Sequence, residues 1–369
     1  MNELTLHGIL SLPLQSQKRY NDIGISRCAR DFRQTTLYGI PIFQSPYNAG
    51  MAEIMFGKPV ADEIERRVRG EVESLRARGI VPRLDVVLVG KSAASQRYVG
   101  KKMEFCERLG MQAMLQTFDD HIRASELRDQ VKRINDDPAV HAILVQLPLP
   151  RHIEEPASGV NKFDVFDAIS GPKDVDGISR ETVPELYRAQ AERMLHLPAT
   201  ALAVRRMLEF YGIETEGKVA VVVGRNDITA KPIHHMLGGR MCNATAIWCH
   251  RHTRKADHDQ FMRAANIIVT SVGSERYRIT ADLVKPGAVV IDVATRVGAD
   301  GKLNGDVDFE HVKEVASFIT PVPKGVGPVT VAALMENVVR AAKFAHGLRQ
   351  PGYDFAPSRD AHLRPAISS

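Results

Sequence analysis

Apolar residues recur at two different spacings along most of this chain, and the two spacings alternate. Between Lys58 and Gly79 an apolar residue returns every three or four positions, which predicts an amphipathic helix ended by the glycine. Residues 84–90 then form a short run of apolar and β-branched residues, which predicts a buried strand. Further predicted helices lie at 92–109 and 125–135, and further predicted strands at 111–118 and 142–147. Strands and helices that alternate in this order predict a parallel sheet with helices on its faces.

Three prolines between residues 148 and 156 mark the end of this unit, and a second α/β series follows it. There, Val219–Val223 predicts a buried strand that ends at Gly224, and a helix is expected to begin near Ala230. The remaining predicted elements are a helix at 204–210 and strands at 244–248, 267–270 and 288–293. A last helix is predicted from about Thr330, a good N-cap, to Gly347, a good stop signal. The predicted fold class is therefore α/β with two domains.

The two ends of the chain lack this periodicity. Residues 1–50 mix proline, glutamine, asparagine and serine with isolated apolar residues, and Met51 opens a segment that reads like a fresh start. We expect residues 1–50 to be a disordered or spurious extension that the folded protein does not need. Their basic residues would also suit an organellar transit peptide, but three acidic residues in the same stretch count against that interpretation. Residues 350–369 hold few apolar residues and are expected to fray.

Length and composition narrow the class of protein. A chain of 369 residues is long enough for two domains. Its composition, with 44% hydrophobic and 25% charged residues, is typical of a globular protein. No stretch approaches the ~20 uninterrupted apolar residues of a membrane helix, so no membrane partner is expected. The 49 basic and 44 acidic residues give a net charge of +5, and the charged residues are scattered along the chain. This distribution disfavours binding of nucleic acid but leaves binding of a small polyanionic ligand open. Four cysteines without CxxC spacing favour a reducing cytoplasm.

The first candidate for chemistry is the predicted helix that carries Tyr98 and Lys102. Their spacing places both side chains on one face of the helix, about one turn apart. If that face lines a cleft, the ring can stack on a flat ligand while the amine transfers a proton. The alternative is a surface helix whose lysine simply reaches into solvent.

Gln146 is the second candidate, because it stands at the carboxyl end of a predicted parallel strand, where open α/β sheets bind ligands. A buried carboxamide that finds no partner costs ~1–3 kcal/mol. Gln146 must therefore bond either to a ligand or to the backbone of the next loop, and the residues alone leave both open.

Two carboxylates, Asp174 and Asp176, lie two residues apart in a loop that ends in Gly177. They could bind a metal, cap a helix or accept hydrogen bonds from a ligand, and the metal is disfavoured because no other carboxylates are spaced to complete its shell. Five sulfur and imidazole groups also fall close together in sequence, but without the spacing of a zinc site. They are Cys242, Cys249, His250, His252 and His258. We therefore expect no metal.

The strand that ends in Gly224 and opens a helix has the form of the phosphate-binding turn of a dinucleotide fold, although the GxGxxG fingerprint is missing. Arg251 follows the next predicted strand and could pair with a 2′-phosphate through two of its guanidinium nitrogens. A solvated loop charge is the alternative for Arg251. The loop Pro321–Thr330, rich in proline and glycine, either brings backbone close to a ligand or is a plain connector.

Four motifs now stand in a fixed order along the chain: SxxYxxxK at Ser95–Lys102, VQLPLP at Val145–Pro150, KDVDG at Lys173–Gly177 and PVPxGVGPxT at Pro321–Thr330. In this order, from about Ile54 to Gly347, the chain resembles the bifunctional methylenetetrahydrofolate dehydrogenase/methenyltetrahydrofolate cyclohydrolase family. The resemblance implies a folate-binding catalytic domain at 54–171, joined by a returning helix at 332–347. It also implies a Rossmann-like NADP-binding domain at 172–331, with a cleft between the two.

The resemblance also implies a role for each site residue. Lys102 would be the acid/base of the hydrolytic step, Tyr98 would stack on the folate and Gln146 would position Lys102. Asp176 would anchor the pterin, and Ser95 would support the pocket. The family's cofactor positions are occupied here by Gly224, Arg225, Asn226 and Thr295.

The implied function is oxidation of 5,10-methylenetetrahydrofolate to 5,10-methenyltetrahydrofolate with NADP, followed by hydrolysis to 10-formyltetrahydrofolate. A cytoplasmic homodimer with a small folate substrate is implied as well. The hydrolytic step needs a lysine whose pKa falls toward neutrality through burial and the nearby cationic folate. Two alternatives stay open: a paralogue that kept one activity, and a non-catalytic folate- or nucleotide-binding homologue.

This sequence departs from the family pattern on the cofactor side. The GxSxxVGxP turn reads Gly224-Arg-Asn226-Asp-Ile-Thr229-Ala-Lys-Pro, and Lys324 replaces the first glycine of PGGVGP. PCTPxG and DVGxN are altered too, as the segments 198–203 and 292–296 show. The catalytic lysine motif is intact, so the departures concern cofactor choice more than folate binding. We predict NADP, with NAD as the alternative, because Arg225 and Arg251 could both reach a 2′-phosphate.

Overall fold

The computed structural model describes residues 51–156, 159–188, 194–298, 301–349 and 352–353. The expected extension at residues 1–50 lies outside these ranges, as does most of the expected C-terminal tail. No helix in the described ranges has both the length and the apolar character that crossing a membrane requires.

The first half of the described chain contains the strands β1 (Glu53–Ile54), β2 (Arg83–Val89), β3 (Gln112–Phe118) and β4 (Ala142–Val145). Its helices are α1 (Gly57–Arg76), α2 (Ala93–Arg108), α3 (Ala124–Asp136), α4 (Arg151–Glu154), α5 (Lys162–Phe166) and α6 (Val183–Arg188), with a 3-10 turn at Gly171–Lys173. Strands β3, β2 and β4 form a parallel sheet in that order, with Leu84 opposite both Ala113 and Ala142. The central strand β2 is almost wholly buried, as its run of apolar residues predicts.

The second half contains the strands β5 (Val219–Val223), β6 (Thr245–Cys249), β7 (Ile267–Thr270), β8 (Val289–Asp292), β9 (Arg296–Val297), β10 (Leu303–Asn304) and β11 (Phe318–Ile319). Its helices are α7 (Ala199–Phe210), α8 (Ala230–Gly238), α9 (Lys255–Ala264), α10 (Phe309–Val312) and α11 (Val326–Ala345), with a 3-10 turn at Ala281–Leu283. A parallel sheet runs in the order β1-β11-β8-β7-β5-β6, and β9 pairs with β10 in antiparallel fashion. The predicted α/β fold class is confirmed.

Two helix boundaries differ from the prediction. Helix α11 begins at Val326, before the predicted N-cap Thr330, because Pro328 lies in the first turn, where a backbone N–H has no partner inside the helix. Thr330 is inside the helix, and its hydroxyl donates to the carbonyl of Val326 at 3.3 Å. Helix α7 begins at Ala199 rather than 204. Strand β1 is too short to be recognised by periodicity, and it joins the larger sheet through β11.

The expectation that the chain frays from residue 350 is wrong for Gly352 and Tyr353. Tyr353 is only 7% exposed, and its hydroxyl accepts a hydrogen bond from the backbone of Leu197 at 2.8 Å. The guanidinium of Arg340 lies 3.6 Å from the centre of the Tyr353 ring. One aromatic residue in a polar tail therefore finds a buried site that local composition does not predict.

Helix α11 packs against α1 and α7 and is buried along nearly its whole length. Its carboxylate Glu336 is 8% exposed and lies between arginines from both neighbouring helices. Arg206 of α7 donates to Glu336 at 2.6 Å, and Arg67 of α1 donates at 2.7 Å. Burial alone would raise the pKa of Glu336, but the two arginines lower it, so the carboxylate stays charged between them.

Replacing Glu336 by glutamine is expected to destabilise the fold strongly. The change preserves the shape of the side chain but removes the negative charge that Arg206 and Arg67 share. Removing one partner of a buried ion pair costs about 3–5 kcal/mol. Urea unfolding followed by circular dichroism measures this loss in the free energy of unfolding.

Glu65→Gln is the matched control, because Glu65 pairs with Arg69 and Arg108 at the helix surface. Exposed pairs of this kind contribute about 0–1 kcal/mol. If Glu336→Gln unfolds at the same urea concentration as Glu65→Gln, the buried pairs do not hold the three helices together.

Candidate active site

One face of α2 carries the first three candidate residues, Ser95, Tyr98 and Lys102, at positions i, i+3 and i+7. The helix starts there because the Ser92 hydroxyl accepts a hydrogen bond from the backbone N–H of Ser95 at 3.4 Å. Tyr98 is 53% exposed, so its ring is open to a ligand. Lys102 is half-buried, and its Nζ lies 5.6 Å from the centre of the Tyr98 ring. Ser95 is half-buried at the start of the same face.

Gln146 follows the last residue of β4 and faces Lys102. Its Oε1 accepts a hydrogen bond from Lys102 Nζ at 3.0 Å, while its Nε2 donates to the carbonyl of Leu147 at 2.6 Å. The backbone of Gln146 donates to Val87 at 2.9 Å, which continues the strand pairing. Of the two alternatives left open for this glutamine, the bond to loop backbone is present at one end of the amide, and the amine of Lys102 binds the other end.

The two carboxylates of the 173–177 loop have different surroundings. Asp174 is fully buried, accepts hydrogen bonds from the backbone of Ile178 and Ser179 and from the hydroxyl of Thr182, and so holds the loop together. A bridge between Asp174 and Ile143 places the loop beside β4. Asp176 instead interacts electrostatically with Lys102.

Burial and charge act in opposite directions on Lys102. Burial lowers the pKa of its amine below the ordinary lysine value, and the Asp176 carboxylate raises it. For Asp176, burial raises the pKa, and the ammonium of Lys102 lowers it. The net effect on Lys102 is a lowered pKa, which is what an amine needs in order to give up and take back a proton near neutral pH.

The candidate cofactor turn follows β5. Gly224 has φ +127°, and a Cβ at this position would lie 2.6 Å from the carbonyl oxygen of Ser271, so only glycine fits. Asn226 organises the turn, since its Oδ1 accepts hydrogen bonds from the backbone and hydroxyl of Thr229 at 2.7 and 2.6 Å. Helix α8 then begins at Ala230, as predicted. An asparagine in place of the family's serine thus still shapes the start of this helix.

Arg225 and Arg251 leave the sheet at the same edge. Strands β5 and β6 pair with Val223 opposite Cys249, and each arginine stands two residues after its strand. Both arginines are exposed, so neither is committed to a buried partner. The negative charge of Asp227 at this turn is offset by an ion pair with Lys231, one helical turn later.

Thr295 is exposed after β8, at the same sheet edge. The loops around it are held by a buried carboxylate that the sequence analysis missed, Asp306. Asp306 accepts hydrogen bonds from the backbone of Val272 and Gly273 at 2.8 and 3.0 Å and from the hydroxyl of Thr270 at 2.7 Å. Burial, together with the proximity of the Asp306 carboxylate, raises the pKa of Asp292 to about 7. An aspartate two residues after a short strand carries no local signal of such a role.

Lys324 is exposed and has φ +84°, the left-handed region in which a side chain is strained. This explains why the family pattern has glycine at the position. The carbonyl of Lys324 accepts a hydrogen bond from the backbone of Gly57 at 2.8 Å, which ties the loop to the start of α1.

In the described ranges, the group that could hold an ion is Asp119, Asp120 and His121, whose ligand atoms all lie within 4.8 Å of one another. All three side chains are exposed on a loop after β3, and such groups are common without an ion.

Comparison with known proteins finds a family match in each half of the described chain. Residues 55–176 match the family described as tetrahydrofolate dehydrogenase/cyclohydrolase, catalytic domain, and residues 198–346 match its NAD(P)-binding domain. The Bifunctional protein FolD of Acidovorax ebreus (strain TPSY) is 42% identical over 293 residues, which cover 79% of this chain and 99% of that protein.

Two of the similar solved structures each cover about four fifths of this chain. The bifunctional enzyme FolD-methylenetetrahydrofolate dehydrogenase/cyclohydrolase from Campylobacter jejuni has a TM-score of 0.73 and 36% identity, covering 79% of this chain and 99% of that chain. The methylenetetrahydrofolate dehydrogenase-cyclohydrolase (FolD) of Trypanosoma brucei, solved with NADP cofactor and inhibitor, has a TM-score of 0.73 and 33% identity, covering 80% and 99%. With its motifs, its site geometry and both domains in agreement, this chain belongs to the tetrahydrofolate dehydrogenase/cyclohydrolase family.

Proposed function

We propose that this protein oxidises 5,10-methylenetetrahydrofolate to 5,10-methenyltetrahydrofolate with NADP and hydrolyses the product to 10-formyltetrahydrofolate. The observation that carries the proposal is the half-buried amine of Lys102, bonded to Gln146 and interacting with Asp176, beneath an exposed aromatic ring. Membership of the family supports both activities, and its relatives are named as bifunctional enzymes. No observation favours either alternative, a paralogue with one activity or a non-catalytic binding homologue.

In the hydrolytic step, water attacks the methenyl carbon, and opening of the ring needs a proton to move at one nitrogen. Lys102 is the group that moves it, because its lowered pKa allows both forms of the amine to be used. Gln146 holds the amine in place, Tyr98 stacks on the folate, Asp176 anchors the pterin and Ser95 supports the pocket. The oxidative step relies on positioning of the folate against the cofactor rather than on side-chain chemistry.

NADP supplies the hydride acceptor when it is bound. In our proposal Gly224, Arg225, Asn226, Arg251 and Thr295 hold it, all of them at the carboxyl edge of the larger sheet. The glycine allows backbone to come close to the pyrophosphate, and the turn leads into the N-terminus of α8, where the helix dipole favours a negatively charged group. The two exposed arginines suit the additional charge of a 2′-phosphate.

The proposed domain boundaries follow the sequence analysis: a catalytic domain at 54–171 with the returning helix 332–347, and a cofactor domain at 172–331. The packing of α11 on α1 supports the assignment of the returning helix. We also propose a cytoplasmic location, because the described cysteines are buried free thiols, as expected in a reducing compartment.

We propose that the protein is a homodimer and that β3 forms its interface. Strand β3 pairs with β2 along one edge, and Met114 and Leu115, which point to opposite faces, are 47% and 42% exposed. An exposed apolar edge strand invites pairing with another strand. A second copy of β3, related by a two-fold axis, would cover both residues and extend the sheet across the dimer.

Lys102→Met is expected to abolish hydrolysis of methenyltetrahydrofolate while the protein stays folded. Methionine keeps the length of the side chain but has no proton to move. The rate should fall by ~10²–10⁴-fold, the usual contribution of general acid–base catalysis. The loss of methenyltetrahydrofolate absorbance measures the rate. Lys101→Met, which changes the exposed lysine next to it, should hydrolyse normally. Equal rates in the two variants would remove Lys102 from the mechanism.

The dehydrogenase is expected to have a higher kcat/KM with NADP than with NAD. Arg251→Ala should lower the ratio of the two values. A charge-assisted hydrogen bond to phosphate contributes ~1.5–3 kcal/mol, or roughly 10–100-fold in kcat/KM. Formation of NADPH or NADH from methylenetetrahydrofolate is followed by absorbance. Arg240→Ala, at the opposite end of β6, is the control. Equal turnover of NAD and NADP by the unmutated protein would overturn the assignment of both arginines.

The Leu115→Lys variant is expected to be monomeric, because a lysine on the edge of β3 would face its own copy across the two-fold axis. Sedimentation velocity at micromolar concentration measures the mass in solution. Val297→Lys, which changes a 65% exposed residue on β9, should leave the dimer intact. A dimer that persists in Leu115→Lys, or a monomeric unmutated protein, would contradict the interface.

A further inference from the structure

A residue of the C-terminal tail is connected by hydrogen bonds to the active-site loop. The hydroxyl of Tyr353 accepts from the backbone of Leu197 at 2.8 Å and donates to Oδ1 of Asn337 at 2.7 Å. Asn337, on α11, is completely buried, and its Nδ2 donates to the carbonyls of Val175 and Leu197 at 2.8 and 2.9 Å. Val175 is the residue immediately before Asp176.

The direction of every bond in this network is fixed. The backbone N–H of Leu197 can only donate, so the Tyr353 proton is directed to the oxygen of Asn337. The two carbonyls on the other side can only accept, so they must face the nitrogen of the amide. Turning the amide over would place three oxygens together and leave buried groups unpaired, which costs ~1–3 kcal/mol for each group.

The tyrosine ring is held as firmly as its hydroxyl. Arg340 lies against the ring and donates to the carbonyl of Gly352 at 2.8 Å and to that of Leu195 at 3.0 Å. A second link joins the same segment to the loop, since His196 Nε2 bonds to the carbonyl of Pro172 at 2.9 Å. Burial lowers the pKa of His196 to about 4, so its ring is neutral and donates at neutral pH.

The loop is thus anchored on both sides of Asp176. On one side, the buried carboxylate of Asp174 accepts hydrogen bonds from the backbone N–H groups of residues 178 and 179. On the other, the carbonyl of Val175 is held by Asn337, whose own orientation depends on Tyr353. Loss of the second anchor would free the peptide that leads into Asp176, and with it the distance between that carboxylate and Lys102.

We propose that Tyr353 is a positioning residue for both activities, acting through Asn337 to fix the place of Asp176 in the folate site. The inference rests on the proposed function, which gives Asp176 its role. The family match ends at residue 346, so the anchor lies beyond the part of the chain that the family defines.

Tyr353→Phe tests the proposal, because phenylalanine keeps the ring on Arg340 and removes only the hydroxyl. Hydrolysis of methenyltetrahydrofolate by the full-length protein is measured over a range of pH, well below its melting temperature. We expect kcat/KM to fall roughly tenfold, since small displacements of a positioned group have effects of this size or more. The charge of Asp176 raises the pKa of Lys102. When that charge moves away, the apparent pKa in the pH profile of hydrolysis should therefore fall.

Thr215→Val controls for the loss of a buried hydrogen bond elsewhere. The Thr215 hydroxyl donates to the carbonyl of Cys242 at 2.7 Å, remote in sequence from the loop. Both variants should melt earlier than the unmutated protein, but only Tyr353→Phe should change kcat/KM and the pH profile. A Tyr353→Phe protein whose kinetics match those of Thr215→Val would overturn the proposal, because the tyrosine would then be merely structural.

Asp176→Asn, alone and combined with Tyr353→Phe, distinguishes the role of Asp176 in the proposed function from the positioning role of Tyr353. If the tyrosine acts through the Asp176 charge, Tyr353→Phe should cause no further shift of the apparent pKa in the Asp176→Asn background. A full additional shift there would overturn the proposed route. Normal hydrolysis by Asp176→Asn alone would instead refute the role of Asp176 in the proposed function. If Asp176→Asn hydrolyses slowly while Tyr353→Phe hydrolyses normally, only the positioning role of Tyr353 would be refuted.

Discussion

Buried polar side chains on α11 constrain how the rest of the chain packs. The helix is enclosed by its neighbours, so Glu336, Asn337 and Arg340 cannot turn to water, and each must find partners within the protein. Glu336 meets arginines from α1 and α7, Asn337 meets two backbone carbonyls, and Arg340 meets the carbonyls of the 194–195 segment and the tail. These directional bonds specify the rotation of α11, whereas its apolar contacts alone would tolerate small shifts.

The spacing of apolar and polar residues was enough to predict the elements that depend only on neighbouring residues in the sequence. The strands β2 and β5, the helix with Tyr98 and Lys102 on one face, and the turn at Gly224 all follow from spacing within a few residues. The partners of α11 could not be predicted in this way, because Arg67 and Glu336 are 269 positions apart. Tyr353 was missed for the same reason, since its site is assembled from residues 194–197 and α11 rather than from its own neighbours.

The departures from the family pattern on the cofactor side are accommodated by local chemistry. Asn226 supplies an oxygen that organises the turn before α8, and Lys231 balances the charge of Asp227. Lys324 is the exception, because its positive φ strains any side chain, and the backbone bond to Gly57 holds it there. The turn at Gly224 is therefore closed by its own hydrogen bonds with its added charges paired, and Lys324 adds an exposed positive charge before α11.

The chemistry of the site depends on position because its groups are partly removed from water. In solvent, a shift of an ångström between an amine and a carboxylate would be screened, but burial strengthens the interaction between Lys102 and Asp176. The lysine's pKa is then set by the balance between desolvation, which lowers it, and the nearby carboxylate, which raises it. Such a balance is useful only if the carboxylate is fixed. Within its loop, Asp174 binds the backbone of residues 178 and 179, and the amine of Lys173 donates to the carbonyls of Asn135 and Asp137. Asn337 of α11 adds a bond to the carbonyl of Val175, so in our proposal a helix that orders the fold also tunes the proton transfer.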